Sequence, residues 1–147
     1  MRPVAAAAAA QQAREAIEHY AHDEEGCSKV QKDIATQLID AMLGEGPFKP
    51  NRTVDIALGG GREMFLPKTQ KGEEGKAGKR IDGVNLIQRF QAKGGQYAWT
   101  NNCTGKPQPC KTLHEAAAAA AAAKQPLLGL FEPSHMMYDF DRRGPST

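Results

Sequence analysis

The sequence has no long hydrophobic run, few aromatic residues and almost no excess of charge. Nothing in it reaches the roughly 18 consecutive strongly apolar residues that a membrane span requires. Its opening stretch (Met1, Arg2, Pro3, then alanines) lacks the leucine-rich core of a signal peptide. The expectation is a soluble chain with no membrane span and no address of its own. Nineteen basic against seventeen acidic residues leave a net charge of +2, too small to argue for a nucleic-acid partner. Three cysteines come without a C-x-x-C pair or histidines at matching ligand spacing, which disfavours a structural zinc site. Also missing are a G-x-S-x-G elbow, a G-x-G-x-x-G loop and a G-K-[ST] signature, so neither a serine nucleophile nor a nucleotide loop of a familiar kind is on offer.

What is present is unevenly spread. The chain of 147 residues is 40% apolar, enough for one ordinary domain. Two alanine runs, Ala5 to Ala10 and Ala116 to Ala123, supply many of those residues, and alanine buries little area beside leucine or phenylalanine. Cys103 and Cys110 flank a Thr-Gly-Lys-Pro-Gln-Pro turn, so they would close a small disulfide loop if the protein is exported. Cys27 is then free or joined to a partner outside this chain.

Along the chain, helical and extended patterns alternate. Ala5 to about Ala21 is rich in helix formers but has only Ile17 and Tyr20 as large apolar contacts. Ser28 and Gln31 form a capping-box pattern, and Val30, Ile34, Leu38 and Met42 follow at fourfold spacing, which predicts an amphipathic helix ending near Gly44. Thr53 to Leu58 reads as a buried strand stopped by Gly59, Gly60 and Gly61. Lys68 to Arg80 alternates charge with glycine and reads as a solvated loop. Asp82 is the expected cap of a helix carrying Val84, Leu86, Ile87 and Phe90, ended by Gly94 and Gly95. Gln96 to Thr100 reads as a strand, Thr112 with Glu115 as a capping box opening a helix, and Leu127 to Phe131 as a third strand. Helices alternating with short apolar strands imply an α/β class with a mainly parallel sheet.

Few residues carry an obvious chemistry. The turn Gly59-Gly60-Gly61-Arg62 follows a strand, the place where backbone amides can cradle an anion. It matches no phosphate-loop signature, and backbone conformation or close packing explains adjacent glycines equally well. His19 and His22, with Asp23, Glu24 and Glu25, read as a solvated helix end more readily than as metal ligands. His114 falls in a first helical turn, and His135 in a Pro-Ser-His-Met-Met stretch suited to packing or hydrogen bonding. Glu73, Glu74, Glu132, Asp139 and Asp141 are oxygen donors suitable for a hard cation, although scattered loop carboxylates are usually only solvated.

The segments VDIALGGGREMF (Val54 to Phe65), KRIDGVNLIQRF (Lys79 to Phe90) and LLGLFEPSHMMYDFDR (Leu127 to Arg142) resemble, in order and spacing, the central part of alkaline phosphatases. KDIATQLI (Lys32 to Ile39) resembles the helix before them. The resemblance divides the chain into an alanine-rich helical segment, 1–26, and a central piece of an alkaline-phosphatase-like domain, 27–147. It implies part of an α/β/α sandwich from a metal-dependent phosphate monoester hydrolase, usually a periplasmic or extracellular homodimer. In such enzymes a serine attacks phosphorus between two zinc ions, with magnesium nearby and an arginine on the phosphate. The D-S-A, E-G-x-x-x-D-x-x-x-H and T-A-D-H motifs that supply the nucleophile and metal ligands do not occur here. Arg14 does not reproduce the context of the phosphate arginine either. The implication is a fragment inactive by itself, or a non-catalytic binding or dimerisation module derived from the same fold. Animal members of the family carry an accessory cation, often taken as calcium. On this sequence its matching positions are the loop Glu73, the main-chain oxygen of Phe131 and the side chain of Glu132. A further aspartate ligand would fall at or beyond the last residue, leaving fewer oxygens than the six to eight calcium prefers.

Overall fold

The computed structural model describes residues 32–138. The expected N-terminal helix, Arg14, His19, His22, Cys27, the Ser28 capping box, Asp139 and Asp141 lie outside the described residues. Helix α1 spans Ile34–Leu43. Its cap is Asp33, whose carboxylate accepts from the Thr36 amide at 3.2 Å, rather than the expected Ser28. Gly44 ends the helix in the left-handed conformation, φ 67°. The buried face is Ala35, Ile39 and Met42, whereas Ile34 is exposed and Leu38 only packs against the edge of the core. Residues four apart drift by about 40° around a helix of 3.6 residues per turn, so the fourfold row from Ile34 to Met42 crosses the buried stripe instead of following it.

Strand β1, Ile56–Gly59, leads into the glycine turn and a short 3₁₀ turn, Arg62–Phe65. Helix α2, Leu86–Ala92, then carries the chain to β2, Gln96–Ala98, and helix α3, Leu113–Ala123, to β3, Leu127–Leu130. The three strands are parallel in the order β1-β3-β2, as the alternation of helix and strand predicts. α3 opens with the expected reciprocal capping box, in which the Thr112 hydroxyl accepts from the Glu115 amide and the Glu115 carboxylate accepts from the Thr112 amide. α2 departs from expectation: Asn85 caps it, accepting from the Gln88 amide at 2.8 Å. Asp82 pairs with Arg80 instead and accepts from the Val84 amide.

Strand pleating sends alternate side chains to opposite faces, and this sorts the core into two layers. Tyr97, Trp99, Leu128 and Leu130 pack with α1, α2, Phe65 and Leu66 on one face. Ala98 and Leu127 meet Ala116 and Ala120 of α3 on the other. Helices therefore cover both faces, and β3, central in the sheet, is buried at every position. β1 does not match its expected burial. Ile56 and Leu58 are 63% and 52% exposed, because β1 is an edge strand whose register partners, Leu127 and Gly129, lie on the α3 face, and α3 lies over β2 and β3. Cys103 and Cys110 form the expected disulfide, their Cα atoms 5.8 Å apart, closing the loop between β2 and α3. Among the described residues, no helix is long and apolar enough to cross a membrane.

Candidate functional site

The glycine turn grips the end of β3. The amides of Gly61, Arg62 and Glu63 donate to the carbonyls of Ser134, Glu132 and Pro133 at 2.6, 3.2 and 3.0 Å. Gly61 takes φ 79° to make the turn, and a Cβ on Gly60 would run into the Ser134 carbonyl. These amides are already used within the protein, so the turn is built for close backbone packing and not as an anion cradle.

That grip carries Arg62 into the interior, 1% exposed. Its Nε and Nη2 donate to the Leu130 carbonyl at 3.0 and 2.7 Å, and its Nη1 to Glu74 at 3.3 Å. Nε also lies 3.5 Å from Oε2 of Glu73. The guanidinium sits 5.5 Å from the centre of the Trp99 ring, and the Lys106 ammonium 5.6 Å from that same ring, both within cation–π range.

The two glutamates arrive from the expected solvated loop, Lys68 to Arg80, which has no helix or strand and is exposed at most positions, but it is pinned at several points. Lys71 bridges antiparallel to Ala77, and Pro67 parallel to Arg80. The Gly75 amide donates to the Gly72 carbonyl at 2.9 Å, placing Glu73 and Glu74 at the centre of a tight turn. The segment ends in Arg80, 2% exposed, whose guanidinium takes both oxygens of the buried Asp33 at 2.7 and 3.2 Å. Lys68, Gln70 and Lys71 remain at the surface.

Arg62 is thus the hub joining the residues singled out from sequence. Glu73 faces its side chain, and the main-chain carbonyl of Glu132, not its carboxylate, accepts from its amide. Half-buried Phe131 donates its own amide to the Gly59 carbonyl at 2.8 Å. His114 and His135 are exposed. Three buried polar atoms around this hub have no hydrogen-bond partner: Oε2 of Glu73, the Tyr97 hydroxyl and Nε1 of Trp99. Each such orphan costs about 1–3 kcal/mol, so the region is polar beyond what its own contacts satisfy. Burial, and then the Glu73 charge, push the Tyr97 hydroxyl far above the usual phenol range.

Among the described residues, no group of three or more His, Cys, Asp or Glu side chains is arranged to hold a metal ion. The donors around Arg62 are oxygens, which suit a hard cation better than zinc, and the Glu73 carboxylate already faces the Arg62 guanidinium at 3.5 Å. Sequence reasoning missed Tyr97 and Trp99. The available signal was their i, i+2 spacing in QYAWT, which puts both on one face of a strand.

A family model described as Alkaline phosphatase matches residues 3–146. The chain is 34% identical over 128 residues to the membrane-bound alkaline phosphatase of Bombyx mori, covering 85% of this chain and 20% of that protein. It is 33% identical over 129 residues to the tissue-nonspecific alkaline phosphatase isozyme of Gallus gallus, covering 81% and 20%. With an alkaline phosphatase of Gadus morhua the identity is 32% over 128 residues, covering 81% and 22%. The chain spans about a fifth of the length of these relatives. With that coverage and a parallel sheet layered by helices on both faces, the chain belongs to the alkaline phosphatase family.

Proposed function

We propose that this chain is the central segment of a metal-dependent phosphate monoester hydrolase and is not catalytic by itself. The observation that carries the reading is a mismatch of extent: nearly the whole chain matches the family, yet it spans only about a fifth of its relatives' length. The exposed apolar pair Ile56 and Leu58 supports it, since a sheet face of that kind calls for a covering layer. The nucleophile and zinc-ligand motifs of the family do not occur in the 147 residues, so none of them is assigned to zinc or magnesium. Bound in the complete enzyme, those ions supply the charge that stabilises the attacking and leaving oxygens. The segment contributes strands, covering helices and an accessory cation loop. In that loop Glu73, the Phe131 carbonyl and Glu132 hold a hard cation such as calcium, a role supported by the Glu73 carboxylate standing on its turn with 27% of the side chain exposed. The complete protein is a periplasmic or extracellular homodimer acting on phosphate monoesters.

The test is hydrolysis of p-nitrophenyl phosphate by the purified chain in zinc and magnesium. The expected result is no turnover above buffer, and sustained metal-dependent turnover sinks the reading. A cooperative melt at one monodisperse size would instead favour the non-catalytic module, because a piece with an uncovered sheet face is expected to associate.

A further inference from the structure

Two N-x-[ST] sequences occur in the chain, Asn51-Arg52-Thr53 and Asn102-Cys103-Thr104, the pattern at which an asparagine side chain receives a sugar in the secretory lumen. They are not equivalent. In the second, the central Cys103 is bonded to Cys110, and the Asn102 carboxamide oxygen accepts from the Thr104 amide at 2.9 Å. Closing that disulfide folds the sequence into a turn and so competes with an enzyme that reads extended chain. The first has no such competitor. Its centre is Arg52, and proline, which blocks transfer at that position, does not stand there.

Asn51 and Thr53 lie exposed on the loop between the 3₁₀ turn Gly46–Phe48 and β1. Beneath them the loop is anchored: the Thr53 amide donates to the Ala41 carbonyl at 2.9 Å, and Nε of Arg52 to Asp55 at 2.6 Å. Beside Asn51 opens a depression of about 290 Å³, lined among others by Met42, Lys93, Gln125 and Pro126. A sugar on Asn51 has room there, with Lys93 and Gln125 at hand as hydrogen-bonding groups. This is the end of the sheet where the strands begin, since the Leu127 amide that opens β3 donates to the Asp55 carbonyl at 2.8 Å. The Arg62 hub stands at the other end, where β1 and β3 finish, and a sugar at Asn51 leaves it uncovered.

We propose that Asn51 is the acceptor of an N-linked glycan. This rests on the extracellular reading given above, because only an exported chain meets the transferase and its lipid-linked donor. Nδ2 of Asn51 attacks C1 of the sugar bonded to diphosphate in a polyprenyl diphosphate oligosaccharide. A C1–N bond forms and the C1–O bond to the diphosphate breaks. The polyprenyl diphosphate leaves with the bonding electrons, and a proton from Nδ2 passes to a carboxylate of the transferase. Nothing is oxidised or reduced. The Thr53 hydroxyl is the group by which the transferase recognises the sequence.

The test is translation of the full chain behind a cleavable signal peptide, in the presence of endoplasmic-reticulum microsomes, which delivers it to the lumen whatever its natural destination. Wild type shows a slower-migrating band that an N-glycan amidase reverses. Asn51→Gln and Thr53→Ala each lose one glycan step, and Thr53→Ser keeps it. Transfer acts on the emerging chain, so a folding defect in a variant does not mimic the loss. A shift that survives Asn51→Gln and disappears in Asn102→Gln puts the sugar on the other sequence and overturns the proposal, as does no shift at all. The complete protein from its own cells separates the two ideas, with residue 51 read by mass spectrometry after amidase treatment. A bare Asn51 on protein recovered outside the cell overturns the proposal. Protein retained in the cytosol with a bare Asn51, beside a microsomal chain that takes the sugar there, leaves the acceptor assigned and sinks only the extracellular reading.

Discussion

Two arginines are buried almost completely, and their surroundings differ in kind. Arg80 donates to both Asp33 oxygens, to Thr36 Oγ1 and the Met64 carbonyl at 3.2 Å, and to both Asp82 oxygens at 3.1 and 2.5 Å. Asp33 at the same time caps α1, so this cluster welds the start of the helix to the end of the charged loop. Arg62 has the Leu130 carbonyl and partly exposed glutamates, with three buried polar atoms beside it that form no hydrogen bond. A buried charge whose neighbours are all satisfied holds a structure together. One whose neighbours are left wanting marks a place where something else belongs.

The largest expected effect tests that contrast directly. Arg80→Met strands the Asp33 carboxylate in the interior and is expected to lower stability by about 3–5 kcal/mol, the usual cost of removing one partner from a buried ion pair, as read by urea unfolding. Arg62→Met is expected to cost less, about 1–3 kcal/mol. It removes the donors to one buried carbonyl, but Glu73 and Glu74 are 27% and 37% exposed and can turn to water. If Arg62→Met proves the more damaging in the same unfolding series, the contrast is reversed and Arg62 is the structural one.

The smallest effect sharpens the comparison through pH. Burial works to raise the Asp33 and Asp82 carboxyls, but hydrogen bonds and charge from Arg80, joined by Thr36 at Asp33 and the Val84 amide at Asp82, outweigh it and hold both below the ordinary 3.8. A carboxyl depressed on folding stabilises the protein at pH above its unfolded value and loses that contribution as pH falls through the folded value. Asp82 is 35% exposed, so Asp82→Asn is expected to cost under about 1 kcal/mol at pH 7. The difference from wild type should shrink as pH drops below 3.8. A gap that widens in acid would show that Arg80 does not depress Asp82.

Much of the local architecture was legible because its causes are local. The capping box at Thr112 and Glu115, the left-handed stop at Gly44 and the apolar run of β3 each need only a few neighbouring residues. The misread features all turn on partners distant in sequence. Asp82 has the composition of a cap, but Arg80 claims it and Asn85 caps α2. Lys68 to Arg80 is the exposed loop it looks like, but nothing local reveals that Arg80 at its end will meet Asp33, 47 residues away. β1 has the β-branched look of a buried strand, and only the sheet order puts it at an edge.

The sequence by itself determined the element types, the parallel α/β class and, through its resemblance, the family. These follow from short-range periodicity, capping chemistry and motif order, all of which a linear chain carries openly. Only the tertiary structure decided that the glycine turn grips the end of β3, that Arg62 gathers Glu73 and Glu132, and that Tyr97 and Trp99 face them with unmet hydrogen-bonding capacity. Such relations arise from burial, which sets the cost of every unpaired polar atom and depends on segments brought together across the whole fold.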